Sequence, residues 1–143
     1  MPKKLLADRC RRRRFLTLRD IVGLASEWNT SITSMAIRYA ESAPEPCAIV
    51  LSESGHVRYY VPSEDAAYRG FRWLGVREIP RDSATAETGE HQGSGESFER
   101  RSDSEVWFSE RHANCELWEA AFPLGYTGLV VTMLAFNMDD SKD

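Results

Sequence analysis

The chain has 143 residues, 42% of them hydrophobic and 28% charged, with a net charge of -4. That suits a soluble globular protein: one ordinary domain, or a small helical module plus a compact sheet domain. No apolar run is long enough to cross a membrane, the N-terminus is not a signal peptide, and the three scattered cysteines (Cys10, Cys47, Cys115) read as free thiols in a reducing cytoplasm.

The charge is uneven. Residues 1–20 hold eight Lys or Arg against two Asp, so a basic arm precedes an acidic body. Its run "RCRRRR" (Arg9 to Arg14) could attract phosphate or an acidic partner, although a charge run alone is equally well a solvated segment.

After the basic leader, Thr17 caps a helix expected over about 18–28, with Leu18, Ile21, Val22, Leu24 and Ala25 facing inward. Asn29 tolerates the left-handed conformation that ends a helix, and Ser31 is an N-cap for a second helix over about 32–42. Helix, tight turn, helix is the outline of a helix-turn-helix, but such pairs also occur in proteins that never touch DNA. "SAPEP" then breaks the chain at Pro44 and Pro46.

The period then changes. "CAIVLSESGHVRYYV" is apolar and β-branched on both sides of Ser54-Gly55, which predicts a β-hairpin, with Val57, Tyr59 and Val61 on one face and Arg58 and Tyr60 on the other. Cys47, at its start, is expected to be a small core residue. Ser63 starts a helix through "SEDAAYRGFRWLG", with Ala67, Gly70, Phe71 and Leu74 inward. Residues 81–104 are rich in Gly, Ser and charge and read as a long loop, mobile near 88–102, with one short helix near 83–88. Three strands follow: "EVWFS", "CELWEAAF" and "LVVTMLAF". The last is apolar on both faces, which suggests a central position. The tail at 138–143 should fray.

Catalytic signatures are missing. There is no H-E-x-x-H, G-x-S-x-G, P-loop or G-x-G-x-x-G. His112 and Cys115 form an H-x-x-C pair, but a structural zinc site wants four ligands, so we expect neither metal nor cofactor in this chain. One polar residue breaks its pattern. In "CELWEAAF", Glu119 shares a strand face with Cys115, Leu117 and Ala121. It reads either as a solvent-side charge or as a partly buried carboxylate lining a pocket, with Tyr60, Arg58 and Trp107 as candidate co-liners. A structural salt bridge to Arg58 or Arg69 is the competing role.

The order of these segments resembles the C-terminal two-thirds of the ImmA/IrrE family of metallopeptidases. Met1-Pro2 looks like the tail of that family's "LLMP". "LASEWNTSITSMAIRY" fits its helical pattern at Leu24, Ala25, Trp28, Ser31 and Arg38, with Asn29 where Gly is usual. "EPCAIVLSESGHVRYYVPS", "VWF" at 106–108 and "LWEAA" at 117–121 are similar to its later segments. The resemblance covers nearly the whole chain and rests on order and spacing rather than any single motif. It implies an α+β architecture: a basic leader and helix-turn-helix-like helices over 1–44, then a GAF-like antiparallel sheet domain with one or two flanking helices over 45–137. The H-E-x-x-H of the family is absent, so peptidase activity carries over to no residue present. A chain opening on a helix end reads as a domain piece or a late start more readily than as a stand-alone protein.

The resemblance thus implies a non-catalytic regulatory or sensor module, cytoplasmic, of a zinc peptidase that cleaves helix-turn-helix repressors in stress or mobile-element regulation. Its expected partner is that repressor protein, with an unknown small-molecule ligand as a second. The rival is a DNA-binding regulator, in which the second helix enters the major groove. The outer residues of that helix, Thr33, Ser34, Arg38 and Glu41, include only one cation, so DNA binding is expected to be weak even with backbone charge from Arg11, Arg12, Arg13 and Arg14.

Overall fold

A computed structural model describes residues 17–91, 96–108, 115–125 and 128–137. The basic run Arg11 to Arg14, Cys10, His112 and the tail at 138–143 lie outside the described residues. Among the described residues the fold is α+β, with two N-terminal helices followed by a five-stranded antiparallel sheet and three short helices.

Helix α1 (Leu18–Glu27) opens with a reciprocal cap: Thr17 accepts from the Asp20 backbone N–H, and Asp20 accepts from that of Thr17. Asn29, at φ 53°, reverses the chain as its residue type predicts. Ser31 caps α2 (Ile32–Ser42) by accepting from Ser34 N at 3.0 Å. The inner residues of the pair, among them Ile21, Leu24, Met35, Ala36 and Tyr39, are buried in one cluster with Cys47, Ile49, Val131 and Met133 of the sheet. The helix pair is therefore a wall of the sheet's core.

Strands β1 (Cys47–Glu53) and β2 (His56–Pro62) form the expected hairpin around Ser54 and Gly55, both at positive φ. A bulge corrects the expected faces. Leu51 pairs with Tyr59 but Ser52 pairs with Val57, so Arg58 is the extra residue. Val57 is thereby moved to the face of Tyr60, where both pack on a second cluster, away from Val61.

The connection from β2 to the fourth and fifth strands departs most from expectation. Helix α3 spans only Glu64–Tyr68, because Gly70 (φ 106°) turns the chain. Ala66, rather than Ala67, is its buried residue, and Phe71 enters the core from beyond the helix. Helix α4 (Ala84–Glu90) lies close to the span expected for a short helix. The loop also contains a strand, β3 (Phe98–Asp103), running antiparallel to β4 (Glu116–Pro123). "EVWFS" is no strand: Ser104–Trp107 is a single helical turn, α5.

The sheet order is β2-β1-β5-β4-β3, with β5 (Leu129–Asn137) central, as its two apolar faces imply. Helices α1 and α2 cover one face. The segments between β2 and β4 cover the other, where Trp107, Phe108, Leu117, Leu134 and Phe136 are buried.

Candidate functional site

Glu119 is fully buried, at 0% exposure, on the face covered by the short helices. The solvent-side reading of this residue is thus overturned. Strand alternation sets it between Leu117 and Ala121, both also at 0%. Its Oε2 accepts from the Thr85 backbone N–H at 2.8 Å and from the Thr85 hydroxyl at 2.7 Å. The Thr85 and Thr132 hydroxyls lie 2.6 Å apart. With the Thr85 proton directed to the carboxyl, Thr132 is the donor to Thr85. A chain Thr132–Thr85–Glu119 therefore ties β5 and β4 to the first turn of α4.

Burial pushes the Glu119 carboxyl above the ordinary range for Glu. The side-chain and backbone donors of Thr85 pull it part of the way back, followed by the Ala84 backbone and the Trp107 indole. The indole lies near enough to act on the carboxyl. Even so, neither Trp107 Nε1 nor Glu119 Oε1, both buried, reaches hydrogen-bond geometry with a protein group. Such atoms weaken the fold by about 1–3 kcal/mol each when nothing solvates them.

The other expected co-liners do not converge. Trp107 adjoins Glu119, though from α5 rather than from a strand. Arg58 and Tyr60 sit on β2, which β1 and β5 separate from β4. Arg58 pairs with Glu53 at 2.9 Å on the surface, and Arg69 pairs with Asp65 at 3.0 Å, so neither supplies a salt bridge to Glu119. The Tyr60 hydroxyl donates to Phe71 O; burial first, then the nearby Cys47, raises its pKa and keeps it a donor. On the other side of the molecule, Ser34 and Arg38 project outward from α2 and Thr33 is half-buried.

Two members of the Glu119 chain, Thr85 and Thr132, escape a sequence reading for different reasons. Thr132 is the same kind of signal as Glu119, a polar residue in an apolar strand, and could have been paired with it. Thr85 lies in a segment rich in Ser, Thr and charge; only the Ser83 cap, accepting from Ala86 N, marks the helix that carries it. Burial raises the Cys115 thiol, and no group of three or more metal-binding side chains forms among the described residues.

A separate cavity of about 420 Å³ opens on the helix-pair face. Its lining includes Leu18, Tyr39, Trp118, Ala120, Met133 and Ala135. Glu119 points away from it, because Trp118 and Ala120 share the opposite strand face. Among the described residues no helix is long and apolar enough to cross a membrane. No protein-family model matches the chain, and no curated protein matches it at a significant level.

Proposed function

We propose that this chain is a non-catalytic regulatory module of the ImmA/IrrE kind, a GAF-like sensor domain with a helix-turn-helix-like pair folded against its sheet. One observation carries this reading: Met35, Ala36, Tyr39 and Ala40 of α2 are fully buried against the sheet domain. A helix held this way is a corner of a scaffold first. Its outward residues, Ser34 and Arg38, offer one cation and a hydroxyl, which favours a protein surface over the DNA major groove. The sheet order, with the helical connection running from β2 to β3, suits the sensor part. The parent activity would be zinc-dependent cleavage of a helix-turn-helix repressor in the cytoplasm, with this module recognising the repressor or a signal.

The parentage is tested by in-frame translation of the coding DNA upstream of Met1. An H-E-x-x-H there is the expected result, and an in-frame stop codon directly upstream overturns it. The purified chain is expected to hold no stoichiometric zinc; one tightly bound zinc per chain would contradict a non-catalytic role. DNA binding is expected to be weak, salt-sensitive and indifferent to sequence. Tight, selective binding in a gel-shift series near physiological salt would instead favour the DNA-binding regulator.

A further inference from the structure

We propose that the cavity on the helix-pair face binds a small organic cation with an apolar body, such as an aryl-alkyl amine. This is a second site, independent of Glu119 and of the family reading. Helices α1 and α2 pack on β1, β5 and the Ala120–Phe122 end of β4, and leave the Trp118 end of β4 partly open to solvent. The cavity lies at that boundary. Its floor is apolar: Cys47, Ala120, Met133 and Ala135. Trp118 forms one wall and is still 42% exposed. The volume, about 420 Å³, falls in the range of small-ligand sites.

Charge selects the class of ligand. Three carboxylates line the cavity, Glu45, Glu99 and Glu116, and none makes an ion pair among the described residues. Arg101, the one cation among the described lining residues, is directly opposite Trp118 in the β3–β4 register, with its guanidinium 6.0 Å from the ring centroid. That contact already shows the indole accepting a positive charge on its π-surface. The described lining residues therefore carry two more negative than positive groups around an aromatic wall and a small-residue floor. An ammonium with a phenyl-sized body satisfies the acids and covers the indole; a carboxylate of the same size is repelled by them.

The test is an NMR titration of the full chain at neutral pH and low salt, using phenethylamine and, separately, 3-phenylpropionate. The amine is expected to give saturable shifts at the Trp118 indole and at the amides of Ala120 and Ala135. The carboxylate is expected to bind at least tenfold more weakly. Glu99→Gln/Glu116→Gln should weaken the amine at least fivefold without moving the urea midpoint, because both side chains are exposed. Trp118→Ala should remove the shifts at Ala120 and Ala135. Equal or tighter binding of the carboxylate overturns the proposal. So does the absence of saturation by about 10 mM, a shift pattern centred elsewhere, or amine binding unchanged in the double variant.

Discussion

The two faces of the sheet are covered by different means. On one, α1 and α2 have 10 and 11 residues, carry their own N-caps and bury an apolar stripe. On the other, α3, α4 and α5 have only 5, 7 and 4 residues. Isolated helices that short do not hold themselves together in water. Each is instead tethered by a buried or part-buried polar side chain. The Ser63 hydroxyl, which caps α3, also accepts from the backbone N–H of Cys47 on β1. Glu119 on β4 accepts from Thr85 of α4. Ser104 of α5 accepts from the backbone N–H of Cys115. Apolar area suffices where a helix can bury three turns; shorter helices need directional bonds as well. Glu119 makes two of these tethering bonds, from the backbone N–H and the hydroxyl of Thr85, which supports a structural role for its Oε2.

The largest losses should come from the apolar anchors and should be similar on both faces. Tyr39→Ala on α2 and Trp107→Ala on α5 each remove a side chain with 0% exposure. Each is expected to cost about 3–5 kcal/mol in urea unfolding. A loss under about 1 kcal/mol for either would mean that its face is not part of the cooperative core.

Glu119 separates the faces. Glu119→Ala leaves the buried Thr85 backbone N–H without its acceptor and the Thr85 hydroxyl with only Thr132 to pair with, and should cost roughly 2–4 kcal/mol. It should also raise amide exchange in α4 while leaving α1 and α2 protected. Glu119→Gln keeps a carbonyl oxygen for both donors and should cost clearly less. If the Ala and Gln variants are equally stable, the tether contributes nothing.

Acidity gives a finer cut. Because burial raises the Glu119 carboxyl in the fold, the unfolded chain ionises first as pH rises. From the ordinary Glu range up to the raised folded value, the folded state binds more protons than the unfolded state. Stability should then fall with rising pH, by up to about 1.4 kcal/mol per unit for one group. Below that window this residue adds no slope, and above it the loss is constant. Glu119→Gln should remove the slope through the window. An identical slope in the Gln variant would show that another group produces it.

How much of this could be read from residue order differs in the same way. Both long helices, with Thr17, Asn29 and Ser31 at their ends, are legible because period and cap agree. The hairpin and the central β5 are legible for similar reasons. The β2 face was misassigned because nothing in "HVRYYV" marks a bulge; the extra residue appears only when Ser52 finds Val57. Strand β3, "FERRSD", is charged along an edge and has no apolar alternation to reveal it. "EVWFS" has strand-like residues but follows directly on β3, so Asp103 and Ser104 turn it into one helical turn. Glu119 was visible as a break in a pattern. Its partners were not, because pairing α4 with β4 is a tertiary fact set by contact between segments 34 residues apart.

The smallest effect expected lies at the start of the helix-pair face. Thr17 and Asp20 each accept from the other's backbone N–H, at 3.1 and 3.0 Å, satisfying two donors at the N-terminus of α1. Thr17→Ala removes one of these bonds and should cost about 1 kcal/mol, typical of a lost cap. The cost should be local, because Leu18, Ile21, Leu24 and Ala25 keep the helix on the sheet by apolar contact. Amide exchange should rise in the first turn of α1 and stay unchanged in α4 and α5. Thr17→Ser should restore most of the loss, since only the hydroxyl oxygen is needed. A loss as large as that of Glu119→Ala would break the comparison: it would mean that the long helices, too, depend on a single polar bond rather than on the area they bury.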